Sequence, residues 1–244
     1  KSDIFLSFIF SVARLIICFI FAFLIINLLI LTKFTSKQKI SQSYLGPITN
    51  FLTRYGKFAF LILLLISLYR IADVVMGVMA NIFYLEKGYK ISEIATFSKF
   101  FGVFATIFGG FIGGYCSYRF GTMKALFFGA LIAALSNLLF AWLAVSPISI
   151  DFLIAVITAD NISSGFAGAA FVIYLSGLTS IKFTATQYAL FSSIMLFLPK
   201  LIAGYAGSWV DVMGYAYFFS FTAFLGIPVL FLILWIGKVA PIKN

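Results

Sequence analysis

Apolar residues in this chain come in long unbroken runs, unlike the alternation of a half-buried strand or the one-sided stripe of a surface helix. Seven such runs stand out, at about 5–31, 58–84, 94–117, 125–145, 152–178, 187–209 and 216–236. About 20 apolar residues, at 1.5 Å per residue in a helix, cross a hydrocarbon core of about 30 Å. The pattern therefore predicts an all-α integral membrane protein of about seven transmembrane helices. The breaks carry ordinary punctuation: Gly88 ahead of an N-cap at Ser92, Gly121 in a tight basic turn, Pro147 after the fourth run, Gly214 between the last two. The first run contains Arg14 and is long enough to tilt, or to begin nearer that arginine.

Composition strengthens this reading. Hydrophobic residues make up 63% of the chain and charged residues 10%, against about 25% charged in a soluble domain. The net charge of +10 does not point to nucleic acid, because the basic residues sit in connections between spans and not on an aromatic-interleaved face. Lys33, Lys37, Lys39, Arg54 and Lys57 share the 32–57 connection with no acid; Arg119 and Lys124, then Lys182, then Lys238 and Lys243 follow in every second connection and the tail. The alternate connections hold Glu86, Lys87, Lys90 and Glu93, then Asp151, then Asp211. By the excess of positive charge on cytoplasmic loops, the C-terminus is expected inside and the N-terminus outside. Cys18 and Cys116 read as buried inert thiols. With no His in the chain, no metal, haem or other cofactor is expected.

Charges inside the runs carry the functional signal. "SLYRIADVVMG" puts Arg70 and Asp73 near the middle of 58–84, and "DNISSG" puts Asp160 and Asn161 about nine residues inside the fifth run. Lys200 follows Pro199 in the sixth, and Lys99 lies near the outer end of the third. A charge at the bilayer centre costs roughly 2.5–3.5 kcal/mol on insertion scales, so these groups are expected to face one another or an aqueous cavity. Together the five sum to +3 and −2, a net cationic site suited to substrate carboxylates. Blander readings stand beside this one. Arg70 and Asp73, at i and i+3, can neutralise each other; Lys99 can snorkel to the headgroups; Gln187 can cap or bridge helices; and Asp211 can be a solvated loop charge. Gly109, Gly110, Gly113 and Gly114 in "GGFIGGYCSYRFGTMK" suit close helix packing.

Seven spans beginning outside also describe a receptor or a retinal protein, yet the last run holds no lysine for a Schiff base. Twelve helices with both ends inside leave a final seven that begin outside, with a basic loop after the first. That is the architecture of a major facilitator carrier. It divides the chain into a last helix of the preceding half (1–31), a basic cytoplasmic interdomain loop (32–57), a six-helix C-terminal half (58–238) and a cytoplasmic tail (239–244). No nucleophile–base pair, phosphate loop or metal cluster argues for an enzyme.

Gly114, Arg119, Gly121 and Lys124 resemble the short cytoplasmic loop of that superfamily, with Tyr118 where an acid usually precedes the arginine. "SLYRIAD", "FYLEKGYKISEIATFSKFFG", "LSNLLFAW", the Asp160–Asn161 pair and "FTATQYAL", in this order, resemble the AmpG family of muropeptide permeases over about residues 60–237. Members often carry Glu at the position of Asp160 and Arg at that of Lys200. The resemblance implies a secondary transporter that imports GlcNAc-anhydroMurNAc peptides, driven by protons, across the bacterial inner membrane for peptidoglycan recycling. It further implies substrate-binding roles for Arg70, Lys99, Asn137, Asp160, Asn161 and Lys200, and proton coupling at Asp73 and Asp160. The implied partners are an anionic muropeptide-like solute, protons, the lipid bilayer and an N-terminal transporter half.

Overall fold

The computed structural model describes residues 2–32 and 45–239. All its regular structure is helical, with no strand among the described residues. Six helical rods from Gly46 onward are long and apolar enough to cross a membrane: α2 (Gly46–Lys87), α3 (Ile91–Phe120), α4 (Thr122–Val145), α5 (Ile150–Leu178), α6 (Ile181–Ala203) and α7 (Ala206–Val239). The first expected span falls in α1, Ser2–Leu31, a helix of 30 residues. The chain divides into two compact units, Lys1–Asn50 and Phe51–Asn244. Within the first, Cys18 is exposed, so the expected burial of both thiols fails there; Cys116 is partly buried. Of the expected basic loop and tail, residues 33–44 and 240–244 lie outside the described residues.

Several boundaries differ from the apolar pattern, each for a local reason. The expected loop 32–57 is helical over Gly46–Tyr55. Phe51 is buried there with its ring 5.0 Å from that of Phe191, and Arg54 donates to the carbonyls of Leu178 and Thr179 at the C-terminal end of α5. Gly56, at φ +51°, turns the chain into the apolar part of α2. At the start of α3 the N-cap is Lys90, not Ser92, and its N–H donates to Glu93 at 3.0 Å. The sixth run stops at Ala203 and not near residue 209, with Pro199 inside its last turns and a turn following at Gly204 and Tyr205. Gly214 (φ +77°) breaks α7. Gly88 and Gly121, at φ +104° and +91°, end helices as their positions predict.

Three packings position the interior. α3 lies against α5, α4 sits between α5 and α7, and α6 covers both parts of α2. The α3–α5 contact is close because Gly109 and Gly113 face the backbone of Ile162 and Phe166, while Gly165 faces that of Thr106. A Cβ at any of the three would overlap a backbone carbonyl. The small-residue motif is thus a packing face, as its spacing predicts, and only alternate members of it are used: Gly114 meets nothing within 4 Å.

Candidate functional site

The membrane-spanning part of α2 is not one continuous helix. Its first part ends at Leu68 and the next begins at Ile71, with Arg70 at φ −100° and ψ +14° between them. No proline or glycine lies at this point. The break is held from outside α2, by the Tyr69 hydroxyl donating to the Leu126 carbonyl of α4 at 3.2 Å and by the Tyr69 ring stacked 4.4 Å from Phe171 of α5. Asp73 then falls in the first turn of the second part, where unpaired backbone N–H groups favour an anion.

Arg70 pairs with Asp73 through Nη2, and the same nitrogen donates to the Ser164 hydroxyl of α5 at 3.0 Å. Both side chains are largely buried, at 25% and 9% exposure. Gly168, one turn on from Ser164, leaves room for the guanidinium: a Cβ there would lie 4.0 Å from Nη1. Asp160 of α5 completes the group, within electrostatic reach of both Arg70 and Asp73. Its Oδ1 is buried without a hydrogen-bond partner, and so is Nε of Arg70.

Three of the predicted site residues therefore meet, across α2 and α5. Their charges sum to −1 when both acids are ionised, in place of the net cationic site expected from five. The other two do not join them. Lys99 is exposed in a π-helical stretch, Thr96–Phe101, beside a pocket of about 330 Å³ lined by Asn81, Leu85, Ile94 and Ser98. Lys200 is exposed in the last turn of α6 and not at mid-span, because that helix ends early. Asn161 faces α3, where Thr106 donates to its Oδ1 at 3.0 Å, and its own amide donates to the Ile157 carbonyl at 2.8 Å. Asn137 is fully buried, and its amide donates to the Ala72 carbonyl and to Thr222 of α7, both at 3.3 Å. Gln187 accepts from the Ser180 N–H at 2.7 Å, the capping role foreseen for it.

Sequence reasoning passed over the hydroxyls. Ser164, Thr106 and Thr222 each satisfy a charged or amide group across a helix interface. The available signal was Ser164 itself, one helical turn after Asp160 and so on the same face of α5.

No protein-family model matches the chain. It is similar over most of its length to two proteins named "Putative transporter AmpG 4". The one from Rickettsia conorii is 35% identical over 212 residues, 87% of this chain and 49% of the relative. The one from Rickettsia felis is 36% identical over 194 residues, 80% of this chain and 46% of the relative. "Putative transporter AmpG 1" of Rickettsia bellii is 35% identical over 189 residues, covering 77% and 46%. The chain spans about half the length of the curated relatives it matches.

Proposed function

Because this chain belongs to the AmpG family of transporters, we propose that it is the C-terminal half of a facilitator-fold carrier that takes up anionic anhydromuropeptides with protons. In this reading α1 is the last helix of the preceding half, 32–57 is the interdomain loop, and 58–238 rocks against an N-terminal half about a midplane site. The carrier lies in the bacterial inner membrane with its C-terminus in the cytoplasm, and serves peptidoglycan recycling.

The observation that carries the proposal is Asp160, buried with an unpartnered carboxylate oxygen beside the Arg70–Asp73 pair. In a structural ion-pair network the polar atoms are expected to be matched. Here a negative charge and a hydrogen-bonding position are left over, and one proton on Asp160 brings the group to neutrality. An acid that alternates between these two charge states as the halves rock couples proton entry to solute entry. The discontinuity of α2 at Arg70 fits the same role, since broken helices build midplane sites in carriers. Arg70, with a spare Nε, is the cation placed to meet a substrate carboxylate in the interior. Lys99 and Lys200, exposed near helix ends, act earlier, as capture points for the anionic peptide, while Asn137 and Asn161 hold the helices that frame the path.

Uptake of labelled anhydromuropeptide by cells lacking their own permease is the direct test, with the chain expressed alone and together with the N-terminal half of an AmpG relative. Protonophore-sensitive uptake by the two halves together, and none by the chain alone, is the expected result. Uptake that ignores the proton gradient removes the coupling role, and no uptake of any anhydromuropeptide removes the substrate.

A further inference from the structure

Away from the charged group, an apolar groove of about 520 Å³ lies between α3 and α4. Its walls are Cys116 and Phe120 of α3, Phe128, Leu131 and Leu135 of α4, and Phe166 of α5 at its base, and Lys124 closes one end. From Lys124 to Leu135 the groove follows α4 for about 16 Å at helical rise, about half of a 30 Å hydrocarbon core, and so one leaflet deep. Its charged end is the turn that also carries Arg119. Arg119 and Lys124 are both exposed, no acid lies in the turn, and neither cation forms an ion pair among the described residues. The first N–H groups of α4 open at the same end, which adds to the preference for an anion there.

We propose that this groove holds one acyl chain of an anionic phospholipid, whose phosphate sits on Lys124 with Arg119 beside it. Charge and shape together select this occupant. A zwitterionic lipid fills the same walls but returns its positive group to the basic turn. An apolar partner helix gains nothing from the exposed cations at the mouth of the groove, whereas a phosphate does. The lipid wedges between α3 and α4, and so sets their separation at that membrane face.

The test is lipid retention by the purified chain, read by native mass spectrometry after exposure to equal amounts of phosphatidylglycerol and phosphatidylcholine with identical tails. One surface-proximal cation is worth about 1 kcal/mol toward an anionic lipid, so wild type should carry about fivefold more phosphatidylglycerol. Lys124→Gln should bring the two lipids close to parity, and Leu131→Trp, which fills the groove, should lower both. Equal retention of the two lipids by wild type overturns the proposal, as does unchanged retention in Leu131→Trp. A second reading does not depend on that variant's folding. In Phe128→Trp, brominated-tail phosphatidylglycerol should quench the added fluorescence more than brominated-tail phosphatidylcholine at the same mole fraction, and equal quenching refutes the site.

Discussion

Two arginines sixteen positions apart in α2 meet opposite treatment. Arg54, at the edge of the bundle, donates through both terminal nitrogens to the carbonyls of Leu178 and Thr179 and lies 4.8 Å from the centre of the Tyr55 ring. Lys87 is used in the same way, donating to the carbonyls of Ala144 and Ser146 at 2.9 and 2.6 Å where α4 ends. These cations complete helix ends whose last carbonyls have no other partner. Arg70, in the interior, is matched on one nitrogen, left without a partner on another, and set beside two acids. On the proposed function, the contrast separates structural charge from working charge. A cation spent on helix-end carbonyls holds the fold, whereas on the proposed function one with a spare donor beside surplus negative charge also serves the solute.

The largest effect expected from breaking this contrast is at Arg70. Arg70→Ala leaves Asp73 and Asp160 buried without their cation, which should cost about 3–5 kcal/mol. The measurement is thermal unfolding of the purified chain in detergent. Arg70→Ala with Asp73→Ala should recover much of the loss, since the pair then disappears together. A single variant as stable as wild type would show that the interior cation holds nothing.

Asp160→Asn sharpens the comparison from the functional side. The amide keeps the shape and cannot exchange a proton, so unfolding should stay close to wild type. On the proposed function, uptake by the chain assembled with an N-terminal half should lose its dependence on the proton gradient. Uptake that still collapses with protonophore would move the coupling role to Asp73.

Arg54→Ala should do the reverse. It removes charged hydrogen bonds to two carbonyls at one helix end, at about 1.5–3 kcal/mol each where buried. Screening of the more exposed of the two, the bond to Thr179, pulls the total toward the lower figure. Stability should fall while substrate affinity and proton dependence stay at wild-type values. A specific loss of uptake in a well-folded Arg54→Ala carrier would erase the distinction drawn between the two arginines.

How far all this was legible in the sequence follows the same division. The spans, the glycine stops at Gly88, Gly121 and Gly214, and the unusual interior charges could be read because each is a property of one segment against the bilayer. The break at Arg70 could not be, since "SLYRIAD" holds no helix breaker and what meets the break, the Tyr69 hydroxyl on the Leu126 carbonyl, is a contact with another helix. Nor could the net charge of the group. It depends on where α6 stops and which way the π-helical stretch turns Lys99, both of which are tertiary outcomes. The glycine motif falls between. Its packing role was evident from spacing, but the used members were not. Gly113→Ala should cost about 1–3 kcal/mol, because its Cβ meets the Phe166 backbone. Gly114→Ala, with open space, should be neutral or gain up to about 1 kcal/mol as a better helix former. Equal unfolding temperatures for the two would mean the α3–α5 contact yields more easily than its close approach implies.

The smallest effect belongs to Lys99, and it tests whether a cation outside the interior group reads the substrate at all. Were Lys99 buried against a carboxylate, its loss would carry the full strength of a charge-assisted bond. Exposed as it is, water and salt screen it, and an exposed ion pair contributes at most about 1 kcal/mol. Lys99→Gln should therefore weaken binding of a peptide-bearing anhydromuropeptide by no more than about fivefold, leave the neutral disaccharide unaffected, and matter less as salt is raised. Lys200→Arg should be tolerated, since exposure removes the demand for a particular fork geometry. Binding of both ligands to the assembled carrier at two salt concentrations gives the answer. Equal losses for charged and neutral ligands would assign Lys99 to the headgroup region and leave Arg70 as the substrate's cation.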